Sequence, residues 1–165
     1  MKRMATLAIG LMLSTGLVVP LFAKAATIKV AMTPRDGSPG VVIDDAAALR
    51  PFNVWGGRGA IVNGIEQTGG FIIQWSNGIL PDRPRGLKQY EVSFYVEGGE
   101  LAYIVDYEWD PASGHGYVYI PGYTDRRYAL NGKSILRGGL EGDWFQASPS
   151  WQELVNPLLT KSSHH

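Results

Sequence analysis

The sequence predicts a β-rich α+β domain, an antiparallel meander sheet over about residues 88–121 with a C-terminal helix packed on it. Three observations lead there. Tyr90, Val92, Phe94 and Val96 alternate with Glu91, Ser93, Tyr95 and Glu97, and the alternation resumes after Gly98 and Gly99, which is the period of strands buried on one face. The 21 glycines and 10 prolines are spread along the chain, so no long helical period survives before residue 148. Beyond that point Ser148 and Pro149, or Ser150 with Glu153, supply a helix start ahead of the apolar residues of 151–159, which Asn156 and Pro157 disturb.

The chain opens with Lys2 and Arg3, continues through an uncharged apolar stretch over residues 4–22, and reaches the small residues Ala23 and Ala25. That order predicts a secretory signal peptide over residues 1–25, cleaved after Ala25. Gly10, Ser14, Thr15, Gly16 and Pro20 interrupt the stretch and no basic cluster follows Ala26, which disfavours an anchor. The absence of cysteine removes the attachment point of a lipoprotein and any disulfide staple. Residues 26–160 then form one domain and residues 161–165 a flexible tail, in which His164 and His165 are compatible with a tag. Loss of Lys2, Arg3 and Lys24 leaves 12 bases against 15 acids. Nucleic-acid binding depends on clustered positive charge, so that class is set aside.

Within the domain, residues 27–33 alternate as a first strand, residues 34–40 read as a turn, and residues 41–44 as a second strand. Asp45 caps a short helix over residues 46–50, ended by Pro51. Residues 52–70 read as glycine-rich loops around a short strand at 60–63, residues 71–75 as an apolar strand, and residues 76–86 as a Pro-rich basic loop. A two-residue turn at Gly98 and Gly99 places Val96 opposite Leu101, Phe94 opposite Tyr103, Val92 opposite Val105 and Tyr90 opposite Tyr107. A second turn across residues 110–116 brings Trp109 near Tyr117 and Tyr107 near Tyr119. Residues 123–142 read as irregular, and Trp144 and Phe145 as core.

The chemistry-bearing residues are sparse. Nucleophilic catalysis needs an imidazole beside its nucleophile, and within the fold only His115 offers one, in a glycine-flanked turn without a Gly-x-Ser-x-Gly elbow. Asn131, Gly132, Lys133 and Ser134 lack the upstream glycine of a phosphate loop, and Gly56, Gly57, Arg58 and Gly59 do not form a dinucleotide fingerprint. Asp106, Glu108, Asp110 and His115 fit no metal-ligand spacing, so neither a metal nor a cofactor is expected.

The two-residue register sets Glu91 opposite Asp106 and Glu97 opposite Glu100, like charges that destabilise a strand pair unless a base such as Lys88, Arg126 or Arg127 intervenes. Glu91, Asp106, Glu108 and His115 are therefore the weak catalytic candidates. Trp55, Arg58, Trp75, Tyr123, Arg126 and Arg127 are the aromatic and arginine residues that suit a binding surface.

The sequence thus predicts an exported, soluble envelope protein, periplasmic or secreted, more a binding or interaction module than an enzyme. Its partner would be an envelope protein, a peptide or a glycan, with no insertion into the membrane after cleavage. A carboxylate-based hydrolase of cell-wall material, and an envelope folding or assembly accessory, are the alternative expectations.

Overall fold

A computed structural model describes residues 25–162. The expected signal segment, all but Ala25, and the last three residues of the expected tail lie outside the described residues. One antiparallel sheet of six strands organises the rest: β1 Thr27–Pro34, β2 Val41–Ile43, β5 Lys88–Val96, β6 Leu101–Trp109, β7 Gly116–Tyr119 and β8 Trp144–Gln146, in the spatial order β2-β1-β5-β6-β7-β8. A separate hairpin joins β3 Ile61–Val62 to β4 Ile65–Glu66. The helices are α1 Ala46–Leu49, α2 Tyr128–Ser134 and α3 Pro149–Ser162. The fold is β-rich α+β, with an antiparallel meander at its centre and a C-terminal helix on one face, as the sequence predicts.

The β5–β6 hairpin carries the expected pairs Tyr90–Tyr107, Glu91–Asp106, Val92–Val105 and Phe94–Tyr103. The turn itself differs. Val96 N–H donates to the Glu100 carbonyl at 3.0 Å and Gly99 N–H to the Val96 carbonyl at 2.8 Å, so the loop holds three residues, Glu97 to Gly99. Gly98 and Gly99 both take positive φ, 91° and 79°, as the tight reversal requires. Tyr95 then pairs with Leu101, and a bulge restores the predicted register at Phe94. Val96 accordingly does not oppose Leu101, nor Glu97 Glu100.

β7 lies one residue out of step with its predicted register, because Tyr107 pairs with Val118 and Trp109 with Gly116. The reason is packing: a Cβ on Gly116 would lie 1.9 Å from the Tyr107 hydroxyl oxygen, so only glycine admits that ring. Val118 therefore joins the apolar face, while Tyr117 and Tyr119 turn to the other side, opposite Glu108 and Asp106.

The core lies on the face bearing Val30, Met32, Val92, Phe94, Val105, Tyr107 and Val118, all buried. Across it runs α3, whose Trp151, Val155 and Leu159 recur every fourth residue and are fully buried. The Trp151 ring meets Phe52 at 5.1 Å edge-on and lies 6.4 Å from both Phe94 and Tyr107. Ser148 caps the helix through its hydroxyl, which accepts from Trp151 N–H at 3.3 Å, and Pro149 follows it. Pro157 faces solvent, and the helix runs through it to Ser162, so Lys161 and Ser162 are helical rather than tail.

Three further expectations are corrected. Residues 71–75 are not a strand: Phe71 takes φ 63°, Ile73 makes a single bridge to Ala147, and Trp75–Asn77 form a 3-10 turn. The run is apolar because it is buried irregular chain, which periodicity does not separate from a strand. Pro51 does not end the first helix cleanly, since a 3-10 turn, Arg50–Phe52, continues it. Residues 123–142 contain α2, whose single fully buried residue is Asn131. The Asn131 amide accepts from Ile104 N–H and donates to the Ile104 carbonyl, both at 2.8 Å, continuing the β6 ladder past the end of β7.

Arg137 is the other buried polar anchor, at 1% exposure. Its Nη1 donates to the carbonyls of Gly56 at 2.6 Å and Arg58 at 2.9 Å, and its Nη2 to that of Val54 at 2.6 Å. Its guanidinium carbon lies 4.7 Å from the Phe71 ring, 5.4 Å from Trp75 and 5.5 Å from Tyr103. Arg137→Ala leaves three loop carbonyls without their donor and should lower unfolding free energy by about 3–5 kcal/mol. Denaturant unfolding followed by tryptophan fluorescence checks this, and a loss below about 1 kcal/mol would contradict the anchoring role.

Candidate functional site

The open half of the sheet's second face is polar. Strand alternation puts Gln89 and Glu91 of β5, Asp106 and Glu108 of β6, Tyr117 and Tyr119 of β7, and Trp144 and Gln146 of β8 on that side. One row of paired residues reads Glu91, Asp106, Tyr119, Trp144, and the next reads Gln89, Glu108, Tyr117, Gln146. Loops bring in Arg35, Arg83, Asp125 and Arg127. A cleft of about 390 Å³ results, lined by Arg35, Arg83, Gln89, Asp106, Glu108, Tyr119, Asp125, Arg127 and Trp144.

Arg127 organises one end. Its Nη1 and Nη2 bond the two Asp106 carboxylate oxygens at 2.5 and 3.0 Å, its Nε and Nη2 bond Asp125 at 2.9 and 2.6 Å, and Glu91 lies 3.5 Å from Nη1. Arg35 adds a bond from Nη2 to Asp106 at 2.7 Å. Planar two-pronged pairing of this kind is the strongest geometry available to arginine. Hydrogen bonds from Arg127 pull the Asp125 carboxyl down to about 2, and Asp125 and Asp106 in turn hold the Arg127 guanidinium firmly protonated. The like-charged Glu91–Asp106 pair expected from the sequence is present, and Arg127 is the base that neutralises it.

The other end is aromatic and acidic. The Trp144 ring stacks obliquely on Tyr119, 5.2 Å between centres, and the Arg83 guanidinium lies 5.5 Å from the Trp144 ring centre. Glu108 is buried to 2% exposure. Its Oε1 accepts from Arg83 Nη2 at 2.9 Å and from Gln89 Nε2 at 3.2 Å, and among the described residues its Oε2 has no hydrogen-bond partner. The expectation of Trp144 as core is thereby corrected: Phe145 is buried, whereas Trp144 is half-buried and forms a wall of the cleft.

The structure gathers Glu91, Asp106, Glu108 and Arg127 into this region, but it scatters the other candidates. His115 is exposed on the β6–β7 turn, beside a compact knot in which the Asp110 carboxylate accepts from the Ser113 hydroxyl at 2.6 Å and Ala112 N–H at 2.9 Å, bonds that lower its pKa. Arg126 lines an adjoining hollow with Arg35, Glu91, Asp125 and Arg127. Tyr123, 85% exposed, stands clear with its ring 5.7 Å from Tyr128.

The two tryptophans singled out in the sequence belong elsewhere. Trp55 lines a separate hollow with Val96, Leu101 and Leu130, its indole donating to the Ser134 carbonyl at 3.2 Å. Trp75 is buried, donates to the Gly70 carbonyl at 2.9 Å, and packs on Phe145. The Arg58 side chain is exposed, while its carbonyl serves Arg137. Among the described residues, no three His, Asp or Glu side chains gather as a metal site.

Arg35, Arg83, Gln89, Asp125, Tyr119 and Trp144 are not among the site residues expected from the sequence, which reads Trp144 as core and Tyr119 as a strand partner of Tyr107. The signal for Tyr119 was present in the alternation of β7 and needed only the shifted register. Comparison with known protein families, characterised proteins and solved structures finds nothing that matches this chain.

Because the Asp125 carboxyl titrates lower in the folded protein than in the unfolded chain, its contribution to stability is present above about pH 4 and lost as pH falls toward about 2. Asp125→Asn should therefore be less stable at neutral pH and show a shallower decline of stability across that acid window. Unfolding midpoints measured between those pH values check the slope, and equal slopes for the two proteins would refute the assignment.

Proposed function

We propose that this chain is an exported envelope protein whose domain is a non-catalytic binding module, and that the cleft on the β5–β8 face is where it meets a macromolecular partner. The supporting observation is the pairing inside that cleft. Each carboxylate lining it already accepts a hydrogen bond from an arginine: Asp106 from Arg35 and Arg127, Glu108 from Arg83, and Asp125 from Arg127. A general acid or base must exchange a proton with substrate, and a hydrolytic carboxylate pair needs environments that drive the two pKa values apart. Carboxylates clamped by guanidinium groups are instead suited to present fixed hydrogen-bonding geometry.

The aromatic wall supports the same reading. Tyr119 and Trp144 place rigid, half-buried rings beside charged groups, the composition of residues that dominate binding energy at interfaces. Export is proposed from the order of charge, apolar stretch and small residues at the start of the sequence. Among the described residues, no helix is long and apolar enough to cross a membrane.

The test is capture of a partner from an envelope extract, followed by titration of that partner against the protein and its cleft variants. Trp144→Ala should weaken binding by about 2 kcal/mol, the scale of an interface anchor, while leaving the fold intact. A partner bound equally well by Trp144→Ala and Tyr119→Ala would remove the cleft from the interaction. Turnover of cell-wall material that disappears in Glu108→Gln would replace the binding reading with the hydrolase.

A further inference from the structure

Arg83 holds an uncommon position for an exposed loop residue. Its loop carries Pro81, Pro84 and Gly86 and is pinned to β8 where Leu80 N–H donates to the Trp144 carbonyl at 2.8 Å. From there the Arg83 side chain, 58% exposed, reaches into the cleft and lays its guanidinium between the Trp144 ring and Glu108. It bonds only Oε1. The partnerless Oε2 belongs to a carboxylate at 2% exposure, and a buried acceptor without a donor carries a large desolvation cost. A guanidinium has two parallel N–H groups that match both oxygens of a carboxylate. The tethered Arg83 meets one of them.

Charge balance sharpens the point. The cleft is lined by three arginines, Arg35, Arg83 and Arg127, and three carboxylates, Asp106, Glu108 and Asp125. Arg35 and Arg127 are engaged by Asp106 and Asp125, so Arg83 is the cation that answers Glu108. A neutral ligand that displaced Arg83 would leave a buried carboxylate without a counter-ion, whereas a cationic ligand would restore the balance.

Building on the binding reading of the cleft, we propose that Arg83 is a tethered stand-in for ligand, and that Glu108, Gln89, Tyr119 and Trp144 form a subsite for the guanidinium or ammonium group of a cationic peptide side chain, arginine foremost. The carboxylate supplies the counter-charge, the tryptophan face supplies the flat surface on which a guanidinium rests, and Gln89 fixes the orientation of Glu108. Arg83 bonds one Glu108 oxygen from a largely exposed side chain, so a guanidinium placed to bond both oxygens makes a hydrogen bond that Arg83 does not and displaces it.

The test uses a dye-labelled, blocked arginine–glycine peptide titrated against the full chain and its variants by fluorescence polarisation, with a glutamine–glycine peptide and a neutral oligosaccharide in parallel. Arg83→Ala should tighten binding of the arginine peptide by roughly fivefold, because it removes the internal competitor. Glu108→Gln should weaken it about tenfold or more, and the glutamine peptide should not bind.

Weaker or unchanged binding in Arg83→Ala would overturn the proposal, as would binding of the oligosaccharide in place of the arginine peptide. Arg83→Ala leaves the buried Glu108 carboxylate without its counter-ion, so its binding is read below the unfolding transition located by circular dichroism. Arg83→Lys, which keeps a charge beside Glu108 without a flat guanidinium, serves as a second variant that should also bind the arginine peptide more tightly than the parent. A partner lost in Trp144→Ala but indifferent to Arg83→Ala and to competing arginine peptide sinks the cation subsite while leaving the cleft as the binding face. A partner unaffected by any cleft variant sinks both.

Discussion

Side chains on a strand alternate between faces, so the pairing of Asp106 with Glu91 on one side and Tyr119 on the other commits the whole molecule to one arrangement. With β6 in that register, Tyr103, Val105, Tyr107 and Trp109 enter the core beneath α3, and Asp106 and Glu108 must emerge on the opposite face. A slip of one residue would bury the acids under Trp151 and expose the rings. The contact between the Tyr107 hydroxyl and Gly116 belongs to the same constraint, because it fixes β7 at the single alignment that turns Tyr119 toward Asp106. Core and cleft are two sides of one register.

Two polar side chains then do what further strands would do in a larger sheet. Asn131 supplies an amide with the donor and acceptor of a peptide group, completing β6 at Ile104 where β7 has ended. Arg137 gathers carbonyls of the glycine-rich segment, Val54, Gly56 and Arg58, which no strand reaches. Burial lowers the affinity of the Arg137 guanidinium for its proton, an effect opposed by its neighbours Tyr103 and Glu141. The aromatic rings around it exclude water and offer their negative faces in compensation.

The parts legible in the sequence are those whose physics is periodic. Alternation through residues 88–109 locates the hairpin and the face of every residue from Tyr90 to Phe94, and Ser148–Pro149 locates the start of α3. The extra loop residue at Glu97 was hidden because either of two turn lengths keeps Tyr90 opposite Tyr107 once a bulge is allowed. α2 was hidden because Asn131 and Gly132 are poor helix formers, and its docking rests on an amide rather than an apolar stripe. The cleft was half visible: its floor of Glu91, Asp106 and Glu108 follows from alternation. Arg35, Arg83 and Asp125 approach from loops whose course is set by tertiary packing, and no spacing rule connects Arg83 to a glutamate 25 residues later. Arg127 was legible only as a base near acids, and its geometry explains why those acids tolerate each other.

The outer margin of β8 bears on how such a sheet survives among its own copies. Gln74 N–H and Leu80 N–H donate to the carbonyls of Gln146 and Trp144, so the border that would recruit a neighbouring chain is already occupied by residues 73–80. At the far border β2 offers only three residues. The sheet is thus closed to a further strand at its β8 margin and offers only a short edge at β2, which favours presenting its polar, aromatic face to strangers over adding copies of itself.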